Sequence, residues 1–303
     1  MSHLLRHRAA LRAVAALLLL ATPAARPDAL PMWEVSGAAN RVAILGSIHF
    51  LKPGSDPLPA AVVEAYRNAD VVVMEIDLDD LDAAAAQASL QRLGIDPQAR
   101  TLQQIMKPGD FAAARAKAQA AGIDLDLLQA FEPWLAALTV TQLRLASLGY
   151  DANAGVEHQV LEMAQRDRKE IRGLETVEQQ FTAMDRLPLA AQSAFLLETL
   201  DDAATMEEQV GAIVAAWKQG DTRRLETEFL HGLKNQPDLY RRIVVDRNRD
   251  WAGKLNVLLR DRHDYLVVVG TLHLVGPDSL IRMLERAGYA PRQVMAPQAG
   301  TLH

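Results

Sequence analysis

The chain of 303 residues contains no cysteine. This absence excludes disulfide bonds, thiolate metal ligands, a cysteine nucleophile and the lipobox cysteine that carries a lipid anchor. Dense runs of lysine and arginine are also missing, and the formal net charge is −6. An acidic chain without such runs argues against a nucleic-acid partner. Any metal ion bound by this protein must be held by nitrogen and oxygen ligands.

Apolar runs long enough to cross a bilayer, which takes about 20 residues, are missing from the sequence as well. The N-terminus has instead a short apolar run, Ala13–Ala21, after Arg6, Arg8 and Arg12. A positive region, a short apolar region and small residues after it are typical of a signal peptide. We predict that residues 1–25 direct export to the periplasm or out of the cell, with the leader either cleaved or kept as an anchor. Beyond this leader we expect no stable membrane insertion.

Two segments more than two hundred residues apart end in the same way. Val42–Leu45 runs into Gly46-Ser47-Ile48-His49, and Tyr265–Val269 runs into Gly270-Thr271-Leu272-His273. Each is a short apolar run rich in β-branched residues that ends at a glycine, which predicts a buried strand followed by a sharp turn. In open α/β sheets, ligands bind beyond the carboxyl ends of the strands. We therefore expect the two histidines to belong to one site.

A third apolar run, Ala69–Asp77, predicts a strand that carries Glu75 at a position where a core strand favours Val or Ile. A buried carboxylate is costly unless it is paired or bound to a metal. Two histidines and a glutamate at strand ends suit a divalent metal or acid–base chemistry.

The rest of the pattern predicts a mixed α/β fold. Short strands are expected at Met32–Val35, as an edge strand, at Lys169–Thr176 and at Arg292–Met295. Helical patterns dominate between them. We predict one domain over residues 26–303, with a central sheet of few strands and a large helical insertion over about 81–240.

Several motifs follow one another in a specific order. They are Gly46–His49, Met74–Asp77, Gly149–Asp151 leading to Gly155–Glu157, Gly173–Thr176 with Gln179, Arg247-Asn248, and Val269–Gly276. Each motif alone is weak, but the ordered set resembles the TraB/GumN family, whose animal relatives include the Tiki membrane proteases. The resemblance covers essentially the whole chain after the leader.

This resemblance implies a fold related to the erythromycin-esterase and haem-uptake ChaN group. Tiki-type members of the family are divalent-metal-dependent proteases. By this resemblance, His49, His273, Glu75 and Glu157 are expected as metal ligands. The expected catalytic residues are Glu75, Glu175 and Arg247, with Arg247 as a clamp on the transition state.

Two positions depart from the family pattern. Ser47 stands where threonine is usual, which keeps the hydroxyl group, and Glu157 stands where aspartate is common, which lengthens its reach by one methylene. Whether Glu157 and Glu175 are direct ligands is open, because each also suits the first turn of a following helix, where an acid interacts well with the helix dipole.

We predict an exported hydrolase, specifically a divalent-metal-dependent peptidase that acts on a peptide or protein. The metal ion is expected to be Mn, Co or Zn, because imidazole and carboxylate ligands bind all three and do not distinguish among them. One alternative is a metal-free, esterase-like hydrolase in which His49 or Glu75 activates water. Another is a periplasmic binding or regulatory protein that holds a peptide or haem without turnover. We expect one of two roles for three apolar residues of the helical insertion: they either cover a bound ligand or pack in the hydrophobic core. These residues are Phe131, Trp134 and Met163.

Overall fold

The computed structural model describes residues 29–233 and 235–295; the predicted leader lies outside them. Within these residues the chain forms six strands, each at or close to a predicted position, so the mixed α/β class is confirmed. The strands are β1 (Ala29–Ser36), β2 (Arg41–Ser47), β3 (Val71–Met74), β4 (Glu170–Gly173), β5 (Tyr265–Gly270) and β6 (Arg292–Met295).

Helices fill the intervals between the strands, and most of them lie between β3 and β5. They are α1 (Ala60–Asn68), α2 (Ala83–Gly94), α3 (Leu102–Ile105), α4 (Pro108–Ala120), α5 (Pro133–Ser147), α6 (Val156–Asp167), α7 (Val177–Asp185), α8 (Leu189–Asp202), α9 (Met206–Lys218), α10 (Thr222–His231), α11 (Pro237–Tyr240), α12 (Asp246–Leu258) and α13 (Leu280–Arg286). A π-helical turn, Arg241–Val245, precedes α12, and a 3₁₀ turn, Thr271–Leu274, follows β5.

The strands form one sheet in the order β4-β3-β5-β2-β1-β6. β2, β3, β4 and β5 are parallel, whereas β1 is antiparallel to β2 and to β6. The prediction that β1 is an edge strand is wrong, because the C-terminal strand β6 pairs with its outer side. The four parallel strands therefore point their carboxyl ends to the same edge of the sheet.

Alternation along the buried strands divides the core between the two faces of the sheet. Leu45, Val72 and Val268 face one side, where they join a cluster with residues of α1, α6, α9 and α10. Their neighbours Ile44 and Val267 face the other side and pack with α12 and α13. The sheet is thus a middle layer between two layers of helices, as a parallel sheet requires.

The ends of the strands fix where the polar residues begin. β3 ends at Met74, so Glu75 is the first residue after the strand and not a strand residue as predicted. Glu175 follows the end of β4 by two residues, and His49 follows the end of β2 by two. At each position the last apolar strand residue is buried and the polar residue emerges at the sheet edge.

The helices inserted between β3 and β5 have a core of their own. Trp134 on α5 is fully buried against α2, α7 and α11, and Phe131 packs beside it. Met163 packs on the sheet layer. These three aromatic and sulfur side chains are therefore core residues. Within the described part of the chain, none of the helices has the length and apolarity needed to span a bilayer.

A glycine controls the approach of α6 to the end of β2. A Cβ atom at Gly155 would lie 2.3 Å from the backbone oxygen of His49, and the next residue, Val156, donates its N–H to the oxygen of Ile48 over 3.0 Å. Both contacts are to backbone, which cannot turn aside as a flexible side chain can. The glycine thus lets the segment bearing Glu157 dock onto the segment bearing His49.

We predict that Gly155→Ala destabilises the protein by about 1–3 kcal/mol, because the added methyl overpacks a fixed backbone. Gly253→Ala is the matched control. It lies in α12 with nothing within 4 Å of its Cβ position, so it should stabilise the protein by about 0.5–1 kcal/mol. Urea unfolding measures both, and equal effects of the two substitutions would contradict this packing.

Candidate active site

The centre of the site is the guanidinium of Arg247, in the first turn of α12. Its Nη2 donates to Glu75 Oε2 over 2.5 Å and to Glu175 Oε1 over 2.7 Å, and its Nε donates to both oxygens of Glu175 over 3.1 and 3.2 Å. Its Nη1 donates to the oxygen of Ile243 over 3.1 Å and lies 3.0 Å from His273 Nε2. One cation therefore joins residues that follow β3, β4 and β5.

These contacts use all five N–H groups that a guanidinium carries. The guanidinium also stacks over Trp251, with its central carbon 4.6 Å from the ring centroid. Its side chain is 13% exposed, and those of Glu75 and Glu175 are 11% and 6% exposed. Arg247 is thus built into the floor of the site, and binding a further oxygen would require one of its hydrogen bonds to be exchanged.

His273 is held in one orientation by Asn248, the residue after Arg247. The amide nitrogen of Asn248 donates to the backbone oxygens of His273 and Asp278 over 3.2 and 2.9 Å. Its amide oxygen therefore faces His273 Nδ1 at 2.7 Å and accepts the ring proton. This leaves the Nε2 lone pair of His273 to accept from Arg247. Asn248 is fully buried, and Trp251 packs on the imidazole at 4.5 Å between ring centroids.

His49 forms a separate pair with Glu157 at the other side of the site. Its Nδ1 contacts Glu157 Oε1 directly, and the same oxygen accepts a hydrogen bond from the Ser47 hydroxyl over 2.6 Å. Thr271 in turn donates to the backbone oxygen of Ser47 over 2.9 Å. The two Gly-x-x-His segments are therefore tied together through their hydroxyl residues. The His49 side chain is 56% exposed and faces the open side of the site.

The surroundings of the two histidines place a proton on one and not on the other. Burial lowers the pKa of His273 to about 3, and the positive charge of Arg247 acts in the same direction. Burial also lowers the pKa of His49, but the charge and hydrogen bond of Glu157 outweigh it and raise that pKa to about 9. At neutral pH His273 is therefore neutral and His49 carries the positive charge.

Glu75 remains ionised in this environment. Burial opposes its ionisation, but the charge of Arg247 and the backbone N–H of Gly270, which donates to its Oε1 over 2.7 Å, hold its pKa at about 2. Burial raises the pKa of Glu175, opposed by its hydrogen bonds to Arg247 and by the charge of Arg247. Counted as three carboxylates, Glu75, Glu157 and Glu175, against the cations Arg247 and His49, the cluster has a formal charge of −1. The site is therefore slightly acidic even with His49 protonated.

A cavity of about 610 Å³ lies over this cluster. His49, Glu75, Arg247 and His273 line its floor, and its walls come from α5, α7, α8, α9 and α10. Apart from the cluster, its walls are made almost entirely of aliphatic and aromatic side chains. The helical insertion thus does provide an apolar cover, although the residues named for it from the sequence lie elsewhere.

The donors expected to bind a metal are present but do not converge on one point. Among residues 29–233 and 235–295, no group of three or more His, Asp or Glu side chains is placed to hold an ion. Arg247 occupies the space between Glu75, Glu175 and His273, and His49 and Glu157 contact each other. In this arrangement the residues do not fit a metal ion, and the metal site stays a prediction.

All six residues singled out from the sequence lie at this edge of the sheet, in two connected groups. Sequence reasoning missed two side chains that hold them: Gln180, whose amide donates to Glu75 over 3.3 Å, and Trp251. The sequence does contain a signal for Trp251, because this residue lies four positions after Arg247 and hence on the same face of α12.

The comparisons with known proteins agree with the ordered motifs. The sequence model of the TraB/PrgY/gumN family matches residues 31–293. The chain belongs to this family. Two relatives, the proteins YbaP of Shigella flexneri and of Escherichia coli K12, are each 26% identical over 258 residues, which cover 84% of this chain and 92% of the relative. Both are described as uncharacterized. No solved structure matches the chain.

In this TraB/PrgY/gumN protein, we predict that Arg247→Met lowers the free energy of unfolding by about 3–5 kcal/mol, because it leaves two buried carboxylates without a cation. Arg249→Met is the matched control. Its side chain is 71% exposed and pairs only with Asp246, so its effect should stay within about 0.5 kcal/mol. Denaturant unfolding measures both. Similar values for the two variants would show that Arg247 does not support the cluster.

We further predict that the ring of His49 titrates with a midpoint near the pKa of about 9 given by its pairing with Glu157. In Glu157→Gln the midpoint should fall to near the ordinary 6.5, because desolvation and the charge of Arg247 are then opposed only by the charge of Glu75. NMR titration of the imidazole resonances measures this shift. Because the folded pKa is raised, the pair stabilises the protein below pH 6.5 and that contribution is lost as the pH rises through about 9.

Proposed function

We propose that this protein is a hydrolase that cleaves an amide bond, the bond class of peptides, at the floor of its apolar cavity. The observation that carries the proposal is the pairing of His49 with a buried carboxylate, at a point where the imidazole faces the cavity. A carboxylate on Nδ1 fixes the ring and stabilises its positive charge, which leaves Nε2 for proton transfer. From the predicted leader, we also propose that the protein acts after export.

The proposed reaction uses water as the nucleophile. In the neutral form of the ring, His49 Nε2 takes a proton from water as the oxygen attacks the substrate carbonyl carbon. Glu157 stabilises the imidazolium that forms. The ring then gives this proton to the leaving nitrogen as the carbon–nitrogen bond breaks, which yields a carboxylic acid and an amine.

The Arg247 cluster supports this reaction from below. Glu75, held by Arg247 and Gly270, is close enough to raise the pKa of His49 through its charge. Neutral His273 and buried Asn248 fix the start of α12 against the 3₁₀ turn after β5. The clamp on the transition state, expected of Arg247 from the resemblance, would require it to exchange one of its present bonds, and that role stays a prediction.

A metal-dependent peptidase is the second candidate. It is favoured by Glu157 Oε2, which is buried and finds no hydrogen-bond partner among the described residues, and by the acidic balance of the cluster. Imidazole and carboxylate donors of this kind suit Mn, Co or Zn, but they would converge on one ion only if Arg247 left its place between Glu75, Glu175 and His273. Restoration of activity by one of these ions after chelation would support this candidate, and full activity in a chelator would support the metal-free reaction.

The proposal predicts that His49→Gln lowers kcat/KM by about 10²- to 10⁴-fold, the usual contribution of acid–base catalysis. The matched control is His263→Gln, since the His263 side chain is also 56% exposed and also pairs with an acid, Asp261. Release of amine from a library of acylated peptides and p-nitroanilides measures activity. An unchanged rate in His49→Gln would exclude the proposed base. Tight binding without turnover in the wild type would favour the alternative of a binding protein.

The dependence of kcat/KM on pH is a second test of proton transfer by His49. Because His49 must lose its extra proton to act as the base, kcat/KM should rise with pH and level off near the pKa of about 9. In Glu157→Gln the rise should occur at lower pH, with a lower plateau. A wild-type rate that falls between pH 7 and 9 would contradict this assignment of base.

A further inference from the structure

The walls of the cavity over the site restrict the kind of group that can enter it. Phe181 and Met184 on α7, Phe195 on α8, Ile213 on α9 and Phe229 on α10 line it. Beyond the charged residues and His273 on the floor, the polar side chains in its lining are Ser47, Thr271, Gln142 and Gln180, and Gln180 already donates to Glu75. With Leu138 and Leu145 of α5, five different helices direct apolar groups into one space.

Such walls suit a hydrocarbon better than a peptide backbone. Each peptide unit carries one N–H and one C=O, and burial of either without a partner costs free energy. A threaded peptide would meet few side-chain partners here, since the serine, threonine, histidine and acidic side chains of the floor are bonded to one another. An aliphatic chain has no such requirement and gains free energy from each methylene that it buries.

A second chamber gives the cavity a direction. This chamber, of about 270 Å³, shares Leu145, Phe195, Val210 and Ile213 with the first. Most of its lining is apolar, with Met206, Leu233 and Leu239 beside a few polar residues such as Glu198 and Gln236. The lining therefore changes from charged at the floor of the first cavity to apolar along its walls and across the partition formed by the shared residues into the second chamber.

We infer that the substrate is an N-acyl compound whose unbranched aliphatic acyl chain lies in this cavity, with its amide carbonyl at His49 and its chain directed toward the partition. This inference rests on the proposed function, which supplies the hydrolysis of the amide. Water adds to the carbonyl carbon, the carbon–nitrogen bond breaks, and the nitrogen leaves with the proton carried by His49.

Binding is tested first by calorimetry at pH 6, where His49 is protonated and cannot act as the base, with the full chain and neutral N-methylalkanamides of six to fourteen carbons. Affinity should rise about fourfold with each methylene until the space is filled, the factor expected for burial of one CH₂. The same rise per methylene should be found in His49→Gln whatever its absolute affinity, because this variant changes the floor at the carbonyl and not the walls along the chain. Failure of the hydrolase proposal would therefore leave the binding result intact.

Val210→Trp tests the direction of the chain, because Val210 lies in the partition. The series should reach its plateau at a shorter chain in this variant. Val257→Trp, at an exposed position of α12 (69% exposed), is the matched control and should behave as wild type. If circular dichroism shows that Val210→Trp is unfolded, the smaller Val210→Phe replaces it.

The outcomes are distinct. Affinity that does not depend on chain length, a series that Val210→Trp leaves unchanged, or tighter binding of apolar tripeptide amides than of the alkanamides would each overturn the inference. A turnover assay then tests whether the compounds that bind are also the substrates. Acyl p-nitroanilides of the preferred length should be cleaved with higher kcat/KM than p-nitroanilides of apolar tripeptides, and the reverse order would assign the cavity to peptide side chains.

Discussion

The ion pairing of Arg247 with Glu75 and Glu175 is the interaction on which the site depends. Buried carboxylates are tolerated only when a cation and hydrogen bonds satisfy them. Here one planar guanidinium serves two of them and also the lone pair of His273. Because these partners follow three different strands, the same contact that satisfies the charges also fixes the carboxyl ends of β3, β4 and β5 against the start of α12.

This constraint explains why two similar Gly-x-x-His segments have different chemistry. His273 lies on the side of Arg247, is fully enclosed by Asn248 and Trp251, and stays neutral. His49 lies on the open side with a carboxylate of its own and carries a proton. The π-helical turn before α12, a feature frequent at functional sites, brings the oxygen of Ile243 within reach of Arg247. The asymmetry thus arises from their partners and not from the motifs themselves.

The sequence predicted the sheet well, and it singled out residues that lie together at one edge of that sheet, because both depend on local pattern. The catalytic and metal-binding roles of those residues stay a prediction. Apolar runs rich in β-branched residues predicted β2, β3 and β5, and weaker local patterns predicted the other three strands. The rule that ligands bind at strand ends brought His49, Glu75, Glu175 and His273 to one edge. The sequence prediction extended β3 three residues too far, to Asp77 instead of Met74, and it made β1 an edge strand. Both errors concern distant partners: β6 pairs with β1, and Gly270 pairs with Glu75 from 195 positions away.

The sequence pattern could not predict which residues line the cavity or where the charged groups lie relative to one another. Phe181, Phe195 and Phe229 lie on three helices, and in the sequence their positions cannot be distinguished from other apolar helix positions. Only the packing of the inserted helices decides which apolar side chains line the cavity and which are buried in the core. Likewise, a guanidinium and a divalent ion satisfy the same carboxylates, so residue types alone did not decide which cation lies between them. Hydrogen-bond geometry separates these two possibilities, with Arg247 placed between Glu75 and Glu175.

Anomalous diffraction from crystals of the full chain grown with excess Mn²⁺ tests this account most directly. We expect the guanidinium of Arg247 to lie between Glu75, Glu175 and His273, with no anomalous peak within bonding distance of their donor atoms. A peak bound by His273 and Glu75, with Arg247 turned away, would contradict the account and show that a metal ion organises the site.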